Sequence, residues 1–142
     1  MQRLRDADAI LHAGDFIDGS LLNELATLGP DLHAVHGNVD RPDVVAALPA
    51  RRVVEAGGVR IGMVHDAGPA GGRLDRQRAA FADCAAVVFG HSHIPLHEVS
   101  ADGAFQIFNP GSPTDRRRQP RHTMGEVTVD GGAVRFRLID LD

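Results

Sequence analysis

The 142-residue sequence contains no lysine, tryptophan or tyrosine and only one cysteine. A single cysteine excludes an internal disulfide and is typical of a reducing compartment, so we expect a cytoplasmic protein. The few aromatic side chains and the net charge of -4 argue against general nucleic-acid binding. The apolar runs are too short to cross a membrane. Nucleic acids and membranes are therefore not expected as partners.

The composition is that of one globular domain. Hydrophobic residues make up 43% of the chain and the mean hydropathy is -0.13, and a chain of this length can bury a core. We find no internal repeat and no linker, so we expect residues 1–142 to form a single domain. Cys84 is expected to fill the core in a turn between a helix and a strand. Histidine is the informative excess, with eight residues.

Predicted strands and helices alternate in the first half of the chain, which is typical of an α/β fold with parallel strands. Strands are expected at 9–15, 32–36, 51–55, 59–64 and around 87–88, and helices at 18–28, 44–48 and 74–82. The second half is predicted to consist of hairpins, with strands at 96–100, 105–108, 124–129 and 133–139.

Four predicted strands end in side chains that can bind a metal. These side chains are Asp15, Asn38, His65 and the pair His91 and His93. In open α/β sheets functional groups collect just beyond the carboxyl ends of the strands, so we expect these side chains to form one site. If the backbone there is extended, His91 and His93 point the same way, and Gly90 allows a close backbone approach. The alternative is a loop that carries two solvated histidines.

This set of side chains indicates the kind of metal. Carboxylate, amide and imidazole ligands without thiolates suit Mn, Fe, Ni, Co or Zn. Asp15 can bridge two ions, and a pair of ions can activate a hydroxide and neutralise charge during phosphoryl transfer. The arginine-rich loop at 114–122 offers cations for phosphate oxygens, with Arg116 and Arg117 as candidates, although it can also be a solvated loop.

The motifs together resemble the calcineurin-like metallophosphoesterase superfamily, and within it the compact bacterial and archaeal phosphodiesterases. The motifs are Gly14-Asp15, Gly37-Asn38-Val39-Asp40, His65, Gly90-His91-Ser92-His93 and Asn109-Pro110-Gly111-Ser112. The resemblance runs from about Ile10 to the end of the chain. It implies a four-layer α-β-β-α sandwich of two mixed sheets, with two metals at the carboxyl edge.

The resemblance also implies a role for each ligand. Asp15 would bridge the two ions, Asn38, His65 and His91 would complete the shell of one ion, and His93 would belong to the other. Manganese is the metal we expect first. The implied activity is that of a metal-dependent phosphodiesterase or phosphatase, in which a metal-bound hydroxide attacks phosphorus. Asn109 and Gly111 are expected on the substrate side of the site, where they shape its floor.

Two departures from the family bear on these expectations. The family opens with a strand that ends in Asp-x-His, and both residues bind the ion that His93 serves. This chain has no such segment, so one of its two metal sites is incomplete. We expect either a start upstream of Met1 or a truncated chain. In the absence of that strand, we expect exposed strand edges or an intermolecular strand that covers them.

The second departure is Val39, which stands where larger relatives carry a histidine that acts as general acid. An apolar residue there favours diesters, or substrates with good leaving groups, over demanding monoesters. Cyclic nucleotides, other diesters and small phosphorylated metabolites all fit this chemistry.

A scaffold without hydrolytic activity is the alternative function. The family includes a retromer subunit that resembles these enzymes yet serves in protein assembly, and the missing Asp-x-His segment favours this alternative. The retained His65 and His91 argue against it. A homo-oligomer is compatible with either function, since relatives are often oligomeric.

The other polar candidates have simpler interpretations. Five histidines are expected to be structural or exposed, namely His12, His33, His36, His97 and His122. Asp66 either steadies His65 or is a solvated loop acid.

Overall fold

The computed structural model describes residues 4, 6–14, 24–37, 42–112 and 121–142. Two short parallel strands come first, β1 (Ala9–His12) and β2 (Asp31–Ala34), with Ala9 opposite Asp31. Residues 24–26 are helical, and a short helix, α1 (Pro42–Ala47), follows β2. Leu25, Ala34 and Val44 form a buried cluster that packs this pair of strands against the helical segments.

Five strands form the main sheet, in the order β3-β4-β5-β7-β6. They are β3 (Arg51–Ala56), β4 (Val59–Val64), β5 (Ala86–Val88), β6 (Leu96–Val99) and β7 (Gln106–Asn109). The three central strands β4, β5 and β7 are parallel, whereas β3 and β6 are antiparallel edge strands. The carboxyl ends of the central strands therefore meet at one edge of the sheet.

Helix α2 (Arg73–Ala80) connects β4 to β5 and covers an apolar cluster on the sheet. Phe81, Val87, Phe89, Phe105 and Ile107 are buried in this cluster. Cys84 lies in the turn after α2 and packs against the same cluster, and burial raises the pKa of its thiol. Cys84 is thus half-buried at the edge of the core, in the predicted turn between a helix and a strand.

The last two strands form a hairpin, β8 (Thr123–Asp130) and β9 (Ala133–Asp140). Phe136 of β9 stacks on Phe108 of β7, with ring centroids 4.6 Å apart and planes 9° from parallel. The Gln106 amide donates a hydrogen bond to the Val134 carbonyl at 2.7 Å. The hairpin is therefore packed on the strand that ends at Asn109.

A small apolar cluster joins the first pair of strands to the main sheet. Val35, just after β2, packs with Val54 of β3 and Met63 of β4, and Leu11 of β1 lies against them. Val35 and Met63 have no exposed surface. This contact holds the end of β1 beside the end of β4, where the candidate site lies.

The predicted mixed α/β class is confirmed, and most element ends lie within two residues of the predicted ones. The first strand ends three residues early, at His12. Only residues 24–28 of the predicted helix at 18–28 are described, and the predicted loop at 114–122 is described only from 121 onward. Within the described part of the chain, no helix is long and apolar enough to span a membrane.

Replacement of Gly62 tests the packing of α2 on the sheet. A Cβ atom on Gly62 would overlap the Phe81 ring, whereas a Cβ atom on Gly71 would meet nothing within 4 Å. We expect Gly62→Ala to lower the free energy of unfolding by about 1–3 kcal/mol, because an overpacked core must shift. Gly71→Ala should change it by less than about 0.5 kcal/mol. Urea unfolding of both variants measures the difference, and equal stabilities would contradict this account of the packing.

Candidate metal centre

The carboxyl ends of β4, β5 and β7 bring three of the predicted site residues together. His65 directly follows β4, His91 lies three residues beyond β5, and Asn109 is the last residue of β7. The Gly90 N–H donates to the His65 carbonyl at 2.9 Å, and the Phe89 N–H donates to the Phe108 carbonyl at 3.0 Å. These bonds continue the parallel pairing past the strand ends and set the spacing of the site.

His65 is buried, with 6% of its surface exposed, and a hydrogen bond fixes its ring. Its Nδ1 lies 2.6 Å from the carbonyl oxygen of Ala13, which can only accept a hydrogen bond. Nδ1 therefore carries a proton, and in the neutral ring Nε2 is the nitrogen that has the lone pair. A histidine that binds a metal usually donates its other N–H to such a backbone carbonyl.

Nδ1 of His91 faces Nε2 of His65. The distance from His91 Nδ1 to His65 Nε2 is 3.3 Å, and the two rings are nearly perpendicular, at 80°. Two imidazole nitrogens bound to one Zn²⁺ at about 2.0–2.1 Å lie about 3.3–3.4 Å apart in tetrahedral geometry and about 2.8–3.0 Å apart at an octahedral right angle. The pair therefore fits a shared divalent ion.

Two of the predicted ligands, His65 and His91, lie together among the described residues. Among them, no group of three or more His, Cys, Asp or Glu side chains could hold a metal ion, so His93 does not join this pair as a third ligand. Asp15 and Asn38, the other predicted ligands, lie outside the described residues, as do Arg116 and Arg117. The assignment of His93 to a second ion stays a prediction.

Residues 90–93, here called the histidine turn, are not extended, and this expectation was wrong. His91 and His93 both have left-handed backbones, with φ of 68° and 58°. The Ser92 N–H turns back to the Gly90 carbonyl at 2.9 Å. A left-handed conformation costs a residue with a side chain on the order of 1 kcal/mol and is found chiefly at functional sites.

Gly14 is the glycine that allows the Ala13–Gly14 loop to approach the His65 ring closely. A Cβ atom on Gly14 would lie 2.7 Å from His65 Nδ1 and from the Gly37 nitrogen, and its φ of 106° disfavours any side chain. A Cβ atom on Gly90 would make only ordinary contacts, 3.5–3.7 Å from Ala13 and His65. The role of Gly90 beside a bound ligand therefore stays a prediction, whereas the backbone of the Ala13–Gly14 loop makes the close approach to His65.

Asn109 lies in the floor of the site but is not placed to touch a substrate. It has no exposed surface, and its amide already donates to the Gly90 carbonyl at 3.0 Å. Its assignment to substrate binding is therefore corrected. Gly111 has φ of 74°, and a Cβ atom there would overlap the Thr123 hydroxyl, so that glycine serves the packing of the turn.

Sequence reasoning missed three contributors, the Ala13 carbonyl, Ser92 and Thr123. The Ser92 hydroxyl accepts hydrogen bonds from the Asn109 amide and from the Ile94 N–H, both at 3.2 Å. The Thr123 hydroxyl donates to the Pro110 carbonyl at 2.7 Å. A serine between two histidines was the available signal for Ser92, whereas nothing in the sequence singles out Thr123.

The remaining polar candidates lie apart from the histidine pair. His12 Nδ1 accepts the Gly14 N–H at 3.2 Å, which is a structural role. Exposed His97 packs against Phe108, and His122 bonds to Asp142 near the end of the chain. Asp66 accepts the Gly68 N–H at 2.8 Å and so shapes its own exposed loop.

Comparison with known proteins adds independent findings. Residues 1–132 match the model of the calcineurin-like phosphoesterase superfamily domain. A probable metallophosphoesterase of Methanothermobacter thermautotrophicus is 36% identical over 131 residues, which cover 88% of this chain and 69% of that protein. Another, from Methanocaldococcus jannaschii, is 32% identical over 112 residues, or 77% of this chain and 55% of that protein. The chain thus spans about two thirds of the first relative and about half of the second.

Solved structures share the fold. The solution structure of a Thermotoga maritima protein matches 98% of this chain and 84% of its own, with a TM-score of 0.74 and 33% identity. Zinc-bound Vps29 of Entamoeba histolytica covers 99% and 87% of the two chains, with a TM-score of 0.75 and 20% identity. An archaeal phosphodiesterase covers 94% and 84%, with a TM-score of 0.71 and 17% identity. The last two likenesses concern the fold alone.

Two alanine substitutions beside His65 separate these roles. Gly14→Ala places a methyl group against His65 Nδ1, so we expect it to weaken Mn²⁺ binding by about 10- to 100-fold, as the loss of a bond that orients a ligand does. Gly90→Ala adds a methyl group at ordinary contact distance and should change the affinity less than about 3-fold. Isothermal titration with Mn²⁺ measures both. A stronger effect at Gly90 than at Gly14 would contradict this geometry.

Proposed function

Since the chain belongs to the calcineurin-like phosphoesterase superfamily, we propose that it hydrolyses phosphodiesters with the aid of divalent metal ions. The single observation that carries the proposal is the histidine pair, with His91 Nδ1 3.3 Å from His65 Nε2. Two ring nitrogens at this spacing can bind one ion. The His65 ring is buried, and its other nitrogen is held by a backbone carbonyl, which orients the ring for such binding.

The proposed ligands extend beyond the pair. His65 and His91 would hold one ion together with Asp15 and Asn38, and His93 would hold a second ion that shares Asp15. Manganese, iron, nickel, cobalt and zinc all suit these ligands, and we propose manganese. When bound, a pair of divalent ions activates water at neutral pH and neutralises charge on the phosphate.

The protein's own residues would orient and not transfer protons. His65 donates from Nδ1 to the Ala13 carbonyl, so Nε2, which faces His91 Nδ1, is the nitrogen that would bind the ion. If His91 is also a ligand, neither ring serves as a general base. Val39 follows Asn38 where larger relatives carry a proton donor, so the leaving group must depart with little help. This favours diesters over monoesters with poor leaving groups.

Arginines would bind the substrate. We propose that Arg116 and Arg117, which follow the Asn109 turn in the sequence, donate to the phosphate oxygens, because guanidinium groups match the geometry of phosphate. Asn109 would act from below, since it has no exposed surface.

A scaffold that binds a partner without hydrolysis is the second candidate. Its support is the likeness of fold to Vps29, a protein named for vacuolar sorting. Fold alone does not decide between the two, because one fold hosts many functions. Turnover does.

Hydrolysis of bis(p-nitrophenyl) phosphate with added Mn²⁺ tests the proposal. We expect turnover by the wild-type chain and a fall in kcat/KM of more than about 100-fold in His91→Ala, which loses a direct metal ligand. His97→Ala is the matched control, because exposed His97 on β6 contacts Gln106 and lies outside both the histidine turn and the arginine-rich loop. Its activity should be unchanged.

Elemental analysis after Mn²⁺ loading accompanies the assay. The proposal expects at least one ion per wild-type chain, at the site of His65 and His91, and fewer ions in His91→Ala. A wild-type chain without turnover in the presence of Mn²⁺, Fe²⁺, Ni²⁺, Co²⁺ or Zn²⁺ would overturn the enzymatic function and favour the scaffold.

A further inference from the structure

We propose that Asn109 and Ser92 are positioning residues that hold the histidine turn in the conformation that presents His91 to a metal. The inference rests on the metal centre of the proposed function and adds the device that builds it. Asn109 has no exposed surface, and the Ser92 hydroxyl is engaged by Asn109 and Ile94, so both residues would act through the backbone of the turn.

Asn109 uses every part of its amide group. Its Nδ2 donates to the Gly90 carbonyl at 3.0 Å and to the Ser92 hydroxyl at 3.2 Å. Its Oδ1 accepts the Gly111 N–H at 2.9 Å. With no exposed surface, the side chain exchanges none of these bonds for water. Asn109 therefore ties the histidine turn to the end of β7.

Ser92 is the second tie, and it stands between the two strained residues. Its N–H donates to the Gly90 carbonyl at 2.9 Å, and its hydroxyl accepts the Ile94 N–H at 3.2 Å as well as the Asn109 amide. His91 and His93, on either side, are left-handed. Strained backbone persists only where the surroundings over-determine it, and these bonds provide that restraint.

The support for Asn109 is itself rigid. The carbonyl of the next residue, Pro110, accepts a hydrogen bond from the hydroxyl of buried Thr123 at 2.7 Å. The Ser112 carbonyl accepts one from the Thr123 N–H at 2.9 Å. The first residue of β8 thus braces the turn that carries Asn109. The β8–β9 hairpin is in this way connected to the histidine turn.

Substitutions at Ser92 test the proposal with a matched control. Ser92→Ala removes the hydroxyl, whereas Ser92→Thr keeps it. Ser100→Ala removes a comparable hydroxyl, which accepts the Phe105 N–H at 3.0 Å in the β6–β7 turn, at the opposite edge of the sheet. We expect Ser92→Ala to weaken Mn²⁺ binding by about 10-fold, Ser92→Thr to restore it to within about 3-fold, and Ser100→Ala to leave it unchanged.

Asn109→Asp is the second variant. An aspartate keeps the acceptor for the Gly111 N–H and loses the donors to Gly90 and Ser92. We expect it to weaken Mn²⁺ binding by about 10- to 100-fold. Titration calorimetry gives the affinities, and thermal unfolding of each variant separates lost affinity from lost stability. Unchanged affinity in folded Ser92→Ala or Asn109→Asp would overturn the proposal, as would an equal loss in Ser100→Ala.

A second readout keeps this inference separate from the proposed function. The ¹³C shifts of His91 and His93 in the metal-free chain report their backbone conformation, and we expect them to change in Ser92→Ala and not in Ser92→Thr. A wild-type chain that binds Mn²⁺ but does not hydrolyse the substrate would overturn the enzymatic function. The Mn²⁺ affinities of the variants would still test the role of Ser92. If the wild-type chain binds no Mn²⁺, unchanged shifts in Ser92→Ala overturn the inference and changed shifts support it.

Discussion

The hydrogen bond from His65 Nδ1 to the Ala13 carbonyl, 2.6 Å long, is the interaction on which the candidate site depends. It joins the loop after β1 to the end of β4, two segments 52 residues apart in the chain. It also decides which nitrogen of His65 carries the proton and which is available as a ligand. The absence of a side chain at Gly14 makes this approach sterically feasible.

The apolar interior makes that hydrogen bond geometrically available. Val35, Val54 and Met63 pack the first pair of strands against the main sheet, and two of the three have no exposed surface. Three parallel strands then end at one edge, so that His65, the histidine turn and Asn109 lie side by side. Hydrophobic burial sets the frame, and a few buried polar bonds set the angles within it.

The chemistry of the site and the shape of the fold answer different questions. The same fold is seen in an archaeal phosphodiesterase and in zinc-bound Vps29, and the fold alone does not identify an activity. The histidine pair is more specific, because two imidazole nitrogens 3.3 Å apart have the spacing of two ligands of one ion. The left-handed backbones of His91 and His93 also favour a functional site, since strained residues cluster at active sites and ligand clamps.

Much of the architecture is readable from the sequence, because strands and turns depend on neighbouring residues. The apolar run before Gly90 predicts β5, and the Gly57-Gly58 pair predicts the β3–β4 hairpin, as the structure confirms. Residue type at the strand ends likewise identified His65 and His91 as candidates for one site, and the structure brings them together. Local patterns in the sequence predict the elements and the candidate residues, but not the contacts between them.

Tertiary structure decided the conformation of the histidine turn, the role of Asn109 and the choice of Gly14 over Gly90. Alternating histidines after a strand suggest an extended backbone, yet the turn is bent by bonds to Asn109, a side chain 19 residues away in sequence from Gly90. Gly14 and Gly90 are alike in sequence, each before a candidate ligand, and differ only in which atoms surround them. Contacts between residues distant in the chain determine these features, and no local pattern of residues records such contacts.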